Sequence, residues 1–96
     1  MSLKDLLMLK LKRHKQFIKD MKKIKISDTQ FQKFINYISL LLNNEELPAE
    51  AKDHSLTGEW SDTREFHIGG DLLVIYIKTD EELILVRIGT HSQLFK

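Results

Sequence analysis

The chain has 96 residues, enough for one domain, and 42% of them are hydrophobic, which excludes a wholly disordered protein. It has no cysteine, so a disulfide framework and a thiolate metal site are excluded. The net charge is only +1, but residues 1–44 hold ten Lys or Arg against three acids, whereas residues 45–96 hold five against eleven. The basic charge of residues 1–44 has two interpretations. It is typical of a solvated helix face, and it is also typical of a surface that binds phosphates or an acidic partner.

The longest unbroken apolar run, Leu72 to Ile77, is too short to span a bilayer, and no signal peptide is visible at the N-terminus. We therefore expect a single domain over residues 1–96 that acts in the cytoplasm and has no membrane partner. Residues 1–3 are compatible with an addition made for expression.

The first half of the chain predicts a strand and two helices. Leu6 to Lys12 ends in an alternation typical of a strand with one wet face, with its leucines on the other side: Leu7, Leu9 and Leu11. A helix over Arg13 to Lys23 has an apolar stripe of Phe17, Ile18, Met21 and Ile24. Ser27 and Gln30 have the spacing of a capping box. The helix that follows has a stripe of Phe31, Phe34, Ile35, Ile38, Leu41 and Leu42.

The second half of the chain predicts three antiparallel strands. Thr63 to Ile68 alternates, Gly69-Gly70 has the composition of a hairpin turn, and Leu72 to Ile77 is apolar on both faces, as in a central strand. Glu82 to Ile88 is the third strand, ending at Gly89. The fold class is therefore α+β, with the order β-α-α-β-β-β and two helices packed on one face of an antiparallel-rich sheet.

Three of the four histidines lie in this strand-rich half, near a carboxylate and a guanidinium. His67 and Asp71 flank the glycine turn, so the hairpin brings them close, whereas Arg87 and His91 lie at the end of the last strand. If that end reaches the same edge of the sheet, these four residues and His54 form one cluster.

Such a cluster has the groups that cleavage of RNA by its own 2′-hydroxyl requires. A base takes the hydroxyl proton, an acid protonates the leaving 5′-oxygen, and a cation stabilises the charged phosphorane. Histidine titrates near neutrality and can perform either proton transfer, while arginine presents a planar fork to two phosphate oxygens.

Other chemistries have less support. The gaps between the three histidines are thirteen and twenty-four residues, unlike the short ligand spacings of zinc sites. No serine lies in a glycine-rich elbow, and no glycine loop could cradle a nucleotide phosphate. We therefore expect no cofactor and no metal.

The motifs of the second half resemble the YafQ-like branch of the RelE/ParE toxins. The match consists of the segment Lys52 to Trp60, the segment Arg64 to His67, Asp71, the segment Leu73 to Tyr76, and the segment Arg87 to Phe95. The strand and helix order fits the same superfamily. Leu72 stands where some relatives carry tryptophan.

The resemblance implies roles for individual residues. It assigns catalysis to His54, His67, Asp71 and His91, and phosphate binding in the transition state to Arg87. It implies that the RNA is positioned by Phe95, with further substrate-binding candidates at Lys52 and Glu65. Structural roles remain open: Phe95 as a plug for the sheet end, His54 as a hydrogen-bonding loop residue, and Asp71 as a cap of the hairpin.

The resemblance also implies a function and partners. Such toxins cleave mRNA on the ribosome and are held inactive by an antitoxin, through which they reach operator DNA. We expect the antitoxin segment to be acidic and to cover the basic helix or the cleft. Two alternatives remain: a non-enzymatic, ParE-like inhibitor that binds a large partner such as DNA gyrase, and an inactive protein that only joins its antitoxin on DNA.

Overall fold

The computed structural model describes residues 8–95 of the chain. Within them, five strands named β1 to β5 span Lys10–Arg13, His54–Ser55, Arg64–Gly69, Leu72–Lys78 and Glu82–Thr90. Helices α1 to α3 span Lys15–Lys23, Asp28–Leu42 and His91–Leu94, and two 3₁₀ turns span Ala49–Ala51 and Gly58–Trp60. None of the helices in this part of the chain combines the length and the hydropathy needed to cross a membrane.

The strands form one sheet in the order β1-β5-β4-β3-β2. β1 runs parallel to β5, and the other neighbouring strands are antiparallel. This arrangement confirms the predicted α+β class and the β-α-α-β-β-β order, and it adds β2 and α3. A two-residue strand and a four-residue helix are too short to produce a periodic pattern, which explains why the sequence did not indicate them.

The two longer helices pack on one side of the sheet, here called the helix face. Their buried side chains meet those of the three central strands in one core, which includes Phe17, Phe34, Tyr37, Phe66, Val74, Tyr76, Leu85 and Ile88. The edge of Tyr37 contacts Phe66 at a centroid distance of 5.7 Å, and Phe66 lies 5.7 Å from Tyr76. The predicted placement of both helices on one face is confirmed.

The opposite face of the sheet carries a second, smaller core. Leu73 and Ile75 are fully buried there and pack with Leu94 of α3 and with Trp60 of the second 3₁₀ turn. β4 is thus buried on both sides, as expected for a central strand. The interpretation of Leu72 to Ile77 as a central strand is confirmed.

A bulge in β5 sets which of its residues reach each face. Leu85 pairs with Tyr76 and Arg87 pairs with Ile75, so Val86 is an additional residue on β5. The strand continues to Thr90 instead of ending at Gly89, because residues up to Thr90 pair with β4. The predicted end of this strand was therefore early.

The N-terminus of α2 forms as the sequence predicts. The Ser27 hydroxyl accepts from the Gln30 amide at 3.1 Å, and the Gln30 side chain accepts from the Ser27 amide at 3.0 Å. This capping box satisfies two helix N–H groups that would otherwise lack partners. The Gln30 side-chain amide also donates to the Gly69 carbonyl oxygen at 2.9 Å, which holds the β3–β4 turn against the start of α2.

The predicted apolar stripe of α2 is partly wrong. Phe31 is 45% exposed and Ile35 is 53% exposed, whereas Tyr37, which the prediction omitted, is buried. The helix presents Phe34, Tyr37, Ile38 and Leu41 to the sheet. The prediction selected aliphatic and phenylalanine side chains at helical spacing, but only the narrower face that meets the sheet is buried, and that face includes Tyr37.

The first predicted strand is also displaced. β1 begins at Lys10, Leu9 is buried just before it, and Leu11 is 47% exposed, so Leu9 and Leu11 do not share a buried side. The amide of Leu9 donates to the Leu42 carbonyl at the end of α2 instead of joining a strand. Leu6 and Leu7 lie outside the described residues. The helix predicted over Arg13 to Lys23 begins two residues later, after His14, which accepts from the Gln16 amide.

Candidate active site

The register of the sheet aligns four of the eight candidate residues in two neighbouring rows on the opposite face. The first row crosses four strands through His54, Glu65, Ile75 and Arg87. The second row crosses three strands through His67, Leu73 and Gly89. Paired residues of neighbouring strands share a face, and the strands are about 4.8 Å apart. Side chains from distant parts of the sequence therefore lie side by side.

A buried carboxylate joins two of the histidines. Glu65 is 5% exposed, and its two oxygens lie 3.4 Å from Nε2 of His54 and 3.2 Å from Nε2 of His67. On the other side of the His54 ring, Nδ1 lies 2.7 Å from the Lys52 carbonyl oxygen. Because a carbonyl oxygen can only accept, Nδ1 is the donor in this contact. One carboxylate therefore lies within 3.4 Å of both imidazole rings.

Asp71 and His91 lie at the same rim of the sheet. Leu72 pairs with Thr90, so Asp71 immediately precedes this pair and His91 immediately follows it. Both residues are exposed. The β3–β4 turn that carries Asp71 depends on Gly69 and Gly70, which have φ values of 115° and 58° that side chains rarely allow. The rim therefore presents a carboxylate and an imidazole to solvent.

The short helix α3 fixes the position of His91. Thr90 and Gln93 form a capping box, and Leu94 is buried in the smaller core. The Phe95 ring lies 4.8 Å from the His91 ring and 5.8 Å from the Trp60 ring. Phe95 is only partly buried, so it both packs against Trp60 and presents ring surface beside His91.

Arg87 is bound to a residue that the sequence interpretation had not considered. Its Nε donates to Asp20 Oδ2 at 2.7 Å and its Nη2 donates to Asp20 Oδ1 at 3.2 Å. Burial acts to raise the pKa of Asp20, but hydrogen bonds from Arg87 and from the Ile88 amide outweigh it, so the pKa lies below its ordinary value. The single acid among the lysines of α1 was the one sequence signal for this contact.

The segment before β2 is fastened by a second polar network. Asp53 accepts from the Tyr76 hydroxyl at 2.7 Å and from Arg64 Nε at 3.3 Å. Burial and the hydrogen bond to Asp53 raise the pKa of Tyr76 well above its usual value. Lys52 has a left-handed backbone with φ 50° and an exposed side chain. This network fixes the chain between Lys52 and His54, and sequence reasoning did not identify it.

In the structure, Glu65 contacts both His54 and His67. Asp71 and His91 lie next to the paired residues Leu72 and Thr90, at one rim of the sheet. Lys52 stands apart at the β2 edge. Leu72 is 5% exposed and packs in the helix-face core, so its side chain does not belong to this surface. Within residues 8–95, no three His, Asp or Glu side chains converge in an arrangement that could hold a metal ion.

Comparison with known proteins assigns the chain to a family. The family described as the bacterial toxin YafQ of type II toxin-antitoxin systems matches residues 9–96. The chain belongs to the YafQ toxin family. The resemblance inferred from its motifs is confirmed.

Individual relatives of this YafQ-family toxin cover most of its length. The mRNA interferase toxin YafQ of Escherichia coli (strain K12) is 40% identical over 81 residues, which is 83% of this chain and 88% of the relative. The crystal structure of the E. coli DinJ-YafQ toxin-antitoxin complex aligns with a TM-score of 0.77 at 34% identity, covering 94% of this chain and 100% of that chain. A metal-bound toxin from Helicobacter pylori aligns with a TM-score of 0.77 at 33% identity, covering 92% of this chain and 100% of that chain.

Proposed function

We propose that this YafQ-family toxin is an endoribonuclease that cuts mRNA on the ribosome without a metal ion. The observation that carries the proposal is the contact of Glu65 with both His54 and His67, in line with Arg87 across the sheet. The name of the E. coli relative, an mRNA interferase toxin, supports the same activity.

The reaction would proceed by attack of the RNA on itself. One imidazole removes the proton of a 2′-hydroxyl, and the 2′-oxygen forms a bond to the adjacent phosphorus. The bond from phosphorus to the 5′-oxygen then breaks, and an acid at the site protonates that oxygen. The products are a 2′,3′-cyclic phosphate and a 5′-hydroxyl. Each well-placed proton transfer contributes roughly 10²–10⁴-fold to the rate.

The residues around the histidines would hold the substrate. Arg87 offers its guanidinium to the phosphate oxygens, where charge develops in the phosphorane. Phe95 presents ring surface on which an RNA base can stack. Lys52, exposed at the β2 edge, provides a cation for a flanking phosphate, and Asp71 lies at the rim beside His91. Glu65, which contacts both imidazoles, would act mainly by orienting them.

The ribosome would supply much of the affinity for mRNA. Phosphate contacts dominate binding to free RNA, and a net charge of +1 provides few of them. A translating ribosome holds the mRNA in place, so the toxin needs only local contacts at the cleavage position. Because translation takes place in the cytoplasm, we propose that the toxin acts there.

Cleavage in a purified translation reaction tests this function. We expect the wild-type protein to cut an mRNA while it is translated, to cut the same RNA far more slowly without ribosomes, and to leave a 2′,3′-cyclic phosphate. Phenanthroline, which removes zinc and copper but spares the Mg²⁺ that ribosomes need, should not change the rate. Loss of cleavage in phenanthroline would contradict the metal-free mechanism. Intact mRNA in poisoned cells with damaged DNA would favour the gyrase-binding alternative.

We further propose that the antitoxin binds the exposed lysines of α1 through an acidic segment. Lys15, Lys19 and Lys22 are exposed on this helix. The related DinJ-YafQ structure is a toxin-antitoxin complex, which supports an antitoxin partner. Operator DNA would be reached only through that complex.

Charge reversal on α1 tests the antitoxin surface. We expect Lys19→Glu to weaken antitoxin binding at least tenfold in low salt, mainly by slowing association, because charges at an interface rim steer the encounter. Calorimetry or surface plasmon resonance would measure the change. Lys78→Glu, at an exposed position at the end of β4, is the matched control. Equal affinity of both variants for the antitoxin would contradict the proposed surface.

A further inference from the structure

A two-point ion pair joins α1 to β5, the strand that immediately precedes His91. Asp20 and Arg87 are 67 positions apart, yet Nε and Nη2 of the guanidinium lie 2.7 Å and 3.2 Å from the two oxygens of the carboxylate. The Asp20 side chain is 10% exposed and the Arg87 side chain is 25% exposed. We propose that Asp20 is a positioning residue that holds the Arg87 guanidinium in one orientation for RNA cleavage. This inference rests on the proposed function.

The pair leaves a defined part of Arg87 available. A guanidinium has five N–H donors, and Asp20 takes the one on Nε and one of the two on Nη2. The remaining three belong to Nη1 and Nη2 and form the end of the planar fork. This free end has the geometry that two phosphate oxygens require. Asp20 therefore occupies the side of the guanidinium and leaves its phosphate-binding end open.

Asp20 is itself held in place by the edge of β5. β1 pairs with β5 only as far as Leu85, so the Ile88 amide has no strand partner on that side. Asp20 Oδ2 accepts from this amide at 3.1 Å, and Oδ1 lies 3.4 Å from the Gln16 side-chain amide. A carboxylate with these contacts cannot follow the guanidinium if it rotates. The orientation of Arg87 is thus set before RNA arrives.

Preorganisation of this kind acts on the rate of the chemical step. An arginine free to rotate would still attract the phosphate, but its N–H groups would less often point at the oxygens of the phosphorane. A lysine at position 87 would not replace the arginine, because an ammonium has no planar fork with which to satisfy Asp20 and the phosphate together. Loss of Asp20 should therefore lower kcat more than it raises KM.

Steady-state cleavage of translated mRNA by Asp20→Asn and Asp20→Glu tests the inference. We expect Asp20→Asn to lower kcat by about 10- to 100-fold with KM changed less than about threefold, because small displacements of a positioned group carry costs of that order. Asp20→Glu keeps the charge and should recover part of the loss. Asp20→Asn should cause little further loss in an Arg87→Lys background, because both changes act through the same guanidinium.

A matched control and a spectroscopic measurement separate positioning from stability. Glu82→Gln breaks the Lys12–Glu82 ion pair between β1 and β5, away from the site, and should retain the wild-type kcat. The Arg87 Nε–H signal in NMR should exchange slowly with water in the wild type and faster in Asp20→Asn, while the backbone spectrum stays folded.

The possible results distinguish this inference from the function on which it rests. Wild-type cleavage with an unchanged kcat for Asp20→Asn would overturn the role of Asp20 alone. A faster Asp20→Asn variant would overturn it as well, because Asp20 would then compete with the phosphate for Arg87. Absence of cleavage by the wild-type protein would overturn the proposed function and the inference together.

Discussion

Replacement of His91 by alanine is expected to slow cleavage of translated mRNA by about 10²–10⁴-fold, the usual contribution of a general acid or base. His91 is the first residue of α3, is exposed at the rim next to the β3–β4 turn, and lies 4.8 Å from the Phe95 ring. Its imidazole is exposed and meets the smaller core only through the Phe95 ring, so the variant should fold. Single-turnover cleavage with primer-extension mapping would measure the rate, and thermal unfolding would check the fold.

The histidine at position 14 provides the control for this experiment. His14 is exposed, caps α1 by accepting from the Gln16 amide, and is not one of the candidate site residues. Asparagine is also a good capping residue, so His14→Asn should retain both stability and cleavage. A folded His91→Ala variant that cleaves at the wild-type rate would remove His91 from the mechanism and would leave His54 and His67 as the proton-transfer groups.

Phe66→Ala is expected to lower the free energy of unfolding by about 3–5 kcal/mol, the usual cost of removing a buried phenyl ring. Phe66 is fully buried on β3 and contacts Tyr37 of α2 and Tyr76 of β4. A domain of this size has a total stability of roughly 5–15 kcal/mol, so the loss is a large part of it. Urea unfolding followed by circular dichroism would measure the difference.

This substitution also affects the candidate site, because Phe66 lies between Glu65 and His67 in the sequence. The same ring that anchors β3 to the helix face fixes the two residues that point to the other face. Phe31→Ala is the matched control: Phe31 is 45% exposed on α2 and should cost about 1 kcal/mol or less. Similar losses for both variants would show that the helix-face core is not organised around Phe66.

Local sequence patterns were sufficient for elements in which the apolar residues at the expected spacing are also the buried residues. The alternation of β3 placed Glu65 and His67 on one face and Phe66 on the other, and the structure has them so. The capping box of α2 required only the side chains at Ser27 and Gln30. The same approach wrongly predicted that Phe31 and Ile35 are buried. Helical spacing identifies the apolar residues of a helix, but it does not specify the angle at which the helix meets the sheet.

The sequence by itself determined the α+β order, the antiparallel strands and the motifs that relate this chain to the YafQ family. Only the tertiary structure decided that His54 meets Glu65 through β2, and that Arg87 is bound by Asp20. The physical reason is distance along the chain. Periodicity and capping depend on residues a few positions apart. The contacts of His54 and Arg87 depend instead on strand register and on how α1 lies against the edge of β5. No local sequence pattern specifies either of these.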